Sequence, residues 1–301
     1  MTRIFTFPWK KFFFELYERI FEAELFARSA QVAFYFSFSI FPLLFFLVSL
    51  FGLVLDSTNS LQREMYSYLG QIMPRSAFIL VQKTVGEIVE NSSTGKLTLG
   101  LAITLWSASA GIDGIRSALN AIYGLRESRS WWRTKLQSIV FTLLFILLLA
   151  IVLVIVFYGW QIVQITLAFL GFEITSPLVL VSIQWLSILL VMLFAFEILY
   201  NLIPDYKQFQ WEWINPGSFI AIVLWLLTTS GFRLYLSYFN SYNKTYGSLG
   251  AVIILMLWLY ITAAVISFGG AINAVLREIK QAALKESLNN VGRQDATAGE
   301  P

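Results

Sequence analysis

The sequence predicts an all-α integral membrane protein with six transmembrane helices, and three observations carry that prediction. Of its 301 residues 57% are hydrophobic and 13% charged, against about 25% charged in an ordinary soluble domain. The stretch Ile139 to Tyr158, IVFTLLFILLLAIVLVIVFY, holds Thr142 as its one polar residue, over a length that crosses a hydrocarbon core of about 30 Å. Lysine and arginine fall mostly on one side of the apolar segments, as the positive-inside rule requires.

Apolar windows place the spans at about 32 to 55, 97 to 119, 137 to 160, 178 to 203, 214 to 239 and 247 to 274. With these spans, fourteen basic residues lie on the side of the termini and five on the other, while Arg116 and Arg233 fall inside spans. Both termini are therefore expected in the cytoplasm. The loop Gln161 to Pro177 has no basic residue and is expected to face outward.

Residues 1–31 are expected to form a cytoplasmic interfacial helix. In WKKFFFELYERIFEAELFARSA (Trp9 to Ala30), Glu15, Glu18, Arg19 and Glu22 share one side, and Phe13, Leu16, Tyr17, Ile20 and Phe21 surround the other. These glutamates, and the lack of a small-residue cleavage site, predict a retained segment and not a removed signal peptide. Residues 32–276 would be the transmembrane domain. Its outer loop, 56–96, is divided by Pro74 and carries Phe78, Val81, Val85, Ile88 and Val89 at helical spacing, which predicts a hairpin on the outer surface. The polar tail, 277–301, is expected to be cytoplasmic and disordered.

Composition excludes several chemistries. Cysteine and histidine are both absent, which removes disulfides, thiol nucleophiles, histidine bases and the common zinc sites. The net charge of +3 reads as topology and not as a nucleic-acid footprint. RESRSWWRTK, from Arg126, mixes basic and aromatic residues, but at a span boundary it reads as positive-inside charge and aromatic belt. No phosphate loop, H-E-x-x-H or G-x-S-x-G motif occurs, and SASAG (Ser107 to Gly111) has the wrong glycine spacing for a serine elbow. We expect no catalytic residues, metal, cofactor or nucleic-acid partner.

Ionisable residues inside a membrane cost at least about 2.5 kcal/mol on insertion scales, so each needs a partner, water or a function. At about 1.5 Å per residue, Asp113, Arg116 and Glu197 share the inner third of the bilayer, while Arg233 lies near the outer surface and can snorkel to the headgroups. Asp113 and Arg116, three residues apart, can pair on one helix face. With Asn120, Glu197, Asn201 and Asn273 at similar depth they make an inner polar cluster, which reads either as neutralised helix ends or as a wet site facing the inner leaflet. Pro42 should kink the first span, as a static bend or a hinge, with Ser37, Ser39 or a neighbouring helix satisfying the freed carbonyl. Ala263, Ser267 and Ala271 recur every four residues beside Gly269 and Gly270, a small-residue face that serves packing within or between chains alike.

Several stretches together resemble the YihY/BrkB family of bacterial inner-membrane proteins: AFYFSFSIFPLL (Ala33 to Leu44), SALNAIYG (Ser117 to Gly124), YNLIPD (Tyr200 to Asp205), NPGSFIA (Asn215 to Ala221), and YGSLGAVIILMLWLYITA with GGAINA (Tyr246 to Ala274). Their order covers nearly the whole membrane part. The resemblance implies six spans and an ill-defined activity, with an old ribonuclease label and links to serum resistance and envelope lipid or lipopolysaccharide handling. The matching residues Asn120, Tyr123, Pro204, Tyr246, Gly247, Gly250, Gly270 and Asn273 suit helix packing and polar contacts better than covalent chemistry. The expected function is transport or handling of a lipid or another envelope component within the bilayer. The alternative is a scaffold for an envelope-assembly protein, docked through the outer hairpin or the N-terminal helix.

Overall fold

The structure, a computed structural model, describes residues 8–55, 67, 102–169, 171, 176–207, 211, 215–238 and 248–298. Seven helices are described and no strand is present among these residues: α1 (Trp9–Glu22), α2 (Leu25–Leu55), α3 (Ala110–Ile122), α4 (Trp131–Phe169), α5 (Pro177–Leu202), α6 (Pro216–Tyr238) and α7 (Ser248–Ala298). Among the described residues, α4 to α7 each contain a stretch long and apolar enough to cross a membrane. These four match the third to sixth spans expected from sequence. α2 covers the first expected span, and helical residues 102–108 with α3 cover the described part of the second. The expected hairpin at 56–96 lies outside the described residues, apart from Ser67.

Helix ends depart from the apolar windows in instructive ways. α4 runs for 39 residues, roughly 58 Å at 1.5 Å each, so it outruns the hydrocarbon at its ends. A hydropathy window finds only the stretch that lipid demands, whereas the backbone continues until a breaker stops it. α7 likewise continues to Ala298, across the tail expected to be disordered. Good helix formers in REIKQAALKESL, with no glycine between Gly270 and Gly292, let the last span extend past its apolar part.

The described chain falls into two compact units. One holds α1, the start of α2, Ile115–Arg129 and the chain from Ile155 on; the other holds Phe34 to Gly114 and Ser130–Val154. In the first unit α7 packs against α6 and α1, and α5 packs against α6. Burial ranks these helices: one third of the most apolar window of α7 is buried, against 6% for α5. α7 is thus the core helix and α5 turns most of its surface outward, where a bilayer would meet it. Gln184 ties α5 to α4, its amide donating to the Ile155 and Val156 carbonyls at 2.9 and 3.0 Å. Gly159 leaves room for it, since a methyl there would meet Gln184 Cγ at 3.1 Å.

α3 ends in a Schellman motif. The Leu125 N–H donates to Asn120 O and the Gly124 N–H to Ala121 O, with Gly124 at φ +64. The remaining Ile122 carbonyl accepts from Arg19 at 3.2 Å, placing a cation at the negative end of the helix. Gly124→Ala forces a side chain into the left-handed region and is expected to cost about 1 kcal/mol. A lower thermal midpoint in detergent with unchanged helicity would show this.

In the second unit, Pro42 lies within α2, which continues through it. Ser37 and Ser39 donate to the Phe34 and Tyr35 carbonyls, a turn earlier than the Phe38 carbonyl that the proline leaves without an N–H. Gly111 and Gly114 admit α2 aromatics closely: a methyl at either would meet the Phe36 ring at 3.1 Å or the Tyr35 ring at 3.0 Å.

Candidate functional site

Asp113, in the first turn of α3, is the most chemically complete of the charged residues singled out from sequence. Its carboxylate accepts from Lys135 Nζ at 3.0 Å on one oxygen and from Ser138 Oγ at 2.6 Å on the other. Lys135 and Ser138 stand three apart on α4, so one face of that helix presents both donors. Lys135 Nζ also lies 4.8 Å from the Trp106 ring centroid, a cation–π contact that secures the ammonium from a second side. Trp106 in turn touches Trp131 and Trp132, whose rings are exposed. The lysine side chain is 10% exposed and the aspartate 28%, so the pair is sheltered but open on the carboxylate side.

In the other unit, Arg116 pairs with Glu127 at 3.4 Å. Glu127 also takes Arg129 at 2.7 Å and the Asn120 amide at 3.1 Å, while Asn120 Oδ1 accepts the Asp205 N–H at 2.9 Å. Asp205 receives the Ser128 N–H and hydroxyl, both at 2.6 Å, and faces Arg129 at 3.4 Å. Burial pushes its carboxyl upward, but the two Ser128 hydrogen bonds and Arg129 outweigh this and hold it below the usual carboxylate range. A lowered folded value means that its stabilisation is present above the ordinary range and is lost as pH falls through that lowered value. The group knits the end of α3, the 125–129 loop and the turn after α5. Arg277 closes the same region, 4.3 Å from the Tyr206 ring centroid and 6.0 Å from that of Tyr123.

Glu197 on α5 is 4% exposed and faces the start of α6. Oε1 accepts the Asn215 N–H at 3.0 Å; Oε2 accepts the Asn215 amide at 2.6 Å and the Asn201 amide at 3.1 Å. Asn215 is the residue before Pro216, and its carbonyl accepts the Ser218 N–H at 2.9 Å, so the carboxylate meets the positive end of α6. On the α7 side, Asn273 Oδ1 accepts the Gly217 N–H at 2.8 Å. Asn273 Nδ2 and Ser218 Oγ are buried there with no partner among the described residues.

Asn201 and Asn215 thus both donate to Glu197, and Asn273 meets the same helix end, whereas Asn120 serves Glu127 and Asp205. Arg233 is exposed on α6. Ala263, Ser267, Gly270 and Ala271 are buried, and a methyl on Gly270 would meet Leu119 Cδ2 at 2.8 Å. Ser29 Oγ reaches Ser267 Oγ at 3.4 Å across α2 and α7. Sequence reasoning missed Lys135, Ser138 and Asn215. The first two were legible as a lysine and serine on one face of a helix entering the membrane, and Asn215 as a cap before a helix-starting proline.

The family model described as Virulence factor BrkB matches residues 16–294. A Putative ribonuclease-like protein YfkH of Bacillus subtilis is 32% identical over 267 residues, covering 89% of this chain and 95% of the relative. A UPF0761 membrane protein of Vibrio cholerae is 27% identical over 222 residues, 71% of this chain and 72% of the relative. The UPF0761 membrane protein YihY of Escherichia coli is 28% identical over 225 residues, 69% of each. No solved structure matches the chain.

Proposed function

The chain belongs to the BrkB family of membrane proteins, and from that premise we propose that it handles a lipid or another envelope component in the inner membrane, at the Asp113–Lys135 pair. In this reading the chain spans the bilayer six times with both termini cytoplasmic, and the pair faces the inner leaflet. One observation carries it: Asp113 and Lys135 form a charged pair at helix ends of a membrane protein whose carboxylate keeps 28% of its side chain exposed. A carboxylate kept only for packing is better enclosed, as Glu197 is. An incoming headgroup exchanges its own charges for those of the pair, phosphate against Lys135 and amine or hydroxyl against Asp113. The exchange is near neutral in charge, so no bare ion is left in the low dielectric. No catalysis is assigned, because the chain supplies neither histidine nor cysteine for acid–base or nucleophilic work.

The test is reconstitution into vesicles with a headgroup-labelled phospholipid, alongside identification of copurified lipid. Asp113→Asn and Lys135→Ala are expected to cut transfer at least tenfold while thermal stability in detergent changes little. Lipid neither moved nor copurified, with both variants matching the parent in cells, would sink the proposal.

A further inference from the structure

α1 has three faces, of which one meets α7. Phe12 and Leu16 are buried on the side that meets α7, and Arg19 lies in the same arc. Lys11, Glu15, Glu18 and Glu22 form a polar arc, with Lys11 and Glu15 paired at 3.6 Å. Between these arcs Trp9, Phe13, Tyr17 and Phe21 recur every four residues beside Phe14, and each of the five is between 59% and 63% exposed. The stripe is ordered along itself, Trp9 stacking on Phe13 at 6.1 Å and Tyr17 tilting on Phe21 at 4.6 Å.

Position and charge identify what covers the stripe. Only Ala23 and Glu24 separate α1 from α2, and Glu24 makes the turn at φ +49, so the stripe is tethered where a membrane helix begins. Exposed Phe26 continues the aromatic surface into α2. α1 carries three basic residues (Lys10, Lys11, Arg19) and three acidic ones (Glu15, Glu18, Glu22), hence no net charge with which to seek an anionic surface. Trp, Tyr and Phe on a neutral amphipathic helix beside a span suit the boundary between headgroups and acyl chains. Arg19 meanwhile joins α1 to two other elements, donating to the Ile122 carbonyl at the end of α3 and pairing with Glu278 on α7.

We propose that α1 is a strap seated in the headgroup–acyl boundary by its aromatic stripe, and that Arg19 uses this seat to fix the ends of α3 and α7 at the membrane surface. The seat is hydrophobic and not electrostatic, so neither anionic lipid nor salt governs it. The inference rests on the membrane assignment alone and is independent of what the protein transports.

Because the chain has no cysteine, single spin labels can be placed on the full-length protein at Phe13→Cys, Tyr17→Cys and Glu18→Cys, in vesicles of phosphatidylcholine with and without phosphatidylglycerol. Labels at 13 and 17 are expected to collide with oxygen several-fold more than with a water-soluble nickel chelate. The label at 18 should show the reverse, and neither lipid charge nor salt should alter the pattern. Equal nickel access at 13, 17 and 18 would overturn the proposal. So would shielding of 13 and 17 from both reagents, the sign of a second copy or protein partner, or an oxygen preference that needs phosphatidylglycerol. With labels at 18 and 280, Arg19→Ala is expected to broaden the α1 to α7 distance distribution while leaving the oxygen preference at 13 intact. An unchanged distribution would remove the role given to Arg19.

Discussion

Gly217→Ala is expected to destabilise the protein by roughly 3 kcal/mol, the upper end of what overpacking usually costs. α6 and α7 cross at Gly217 and Gly269, where a methyl on Gly217 would overlap the Gly269 carbonyl oxygen and the Asn273 amide. The reverse substitution is no easier, since a methyl on Gly269 would meet Gly217 O at 2.7 Å and Ala221 Cβ at 2.8 Å. Carbonyl oxygens and a Cβ cannot rotate aside as the tip of a long side chain can, so the helices must separate. Separation breaks the Gly217 to Asn273 hydrogen bond and pulls Asn215 from Glu197, so the packing defect also exposes polar groups. Gly231 on the same helix is the control. It has nothing within 4 Å of an added methyl, and Gly231→Ala should be neutral or stabilise by about 0.5 kcal/mol through reduced chain entropy. Thermal midpoints in detergent that fall equally for both variants would show that glycine content, and not the crossing, sets the effect.

What could be read from sequence follows from which interactions are local. The apolar stretches of α4 to α7 announce themselves because length and composition alone decide whether a helix can cross a bilayer. Four-residue spacing likewise marks out Ala263, Ser267 and Ala271, which are buried. Partners across elements are different. Asp113 meets Lys135 over 22 residues and Glu197 meets Asn215 over 18, and no periodicity encodes which side chain a helix end will approach. Depth arithmetic put Asp113, Arg116, Asn120, Glu197, Asn201 and Asn273 at one level, but depth is a single coordinate. Rotation about the helix axis decides the rest, and it sends Asn120 to Glu127 while Glu197 turns to the start of α6. Gln184 escaped notice for the same reason: a lone amide in an apolar run shows nothing of the α4 carbonyls that receive it.

Glu197→Ala is expected to cost roughly 3 kcal/mol, because it strands the Asn215 N–H and two side-chain amides that the carboxylate now accepts. The loss has a second component. The carboxylate sits at the amino end of α6, so its charge also complements the positive end of the helix dipole, an effect of about 0.5 kcal/mol or more in a buried setting. Glu197→Gln should be milder, since one amide oxygen can still accept, but its NH2 then points at amides that also donate. Asn215→Ala removes the cap from the other side, and if the two residues form one unit the double variant will cost clearly less than the sum of the singles. This separates the two carboxylate sites. On the function proposed above, Asp113, with Lys135 and an exposed edge, should tolerate Asp113→Asn in stability and fail in transfer, while Glu197→Ala should fail in stability first. A Glu197→Ala protein as stable as the parent yet inactive in cells would reverse that assignment and make Glu197 the carboxylate that meets the cargo.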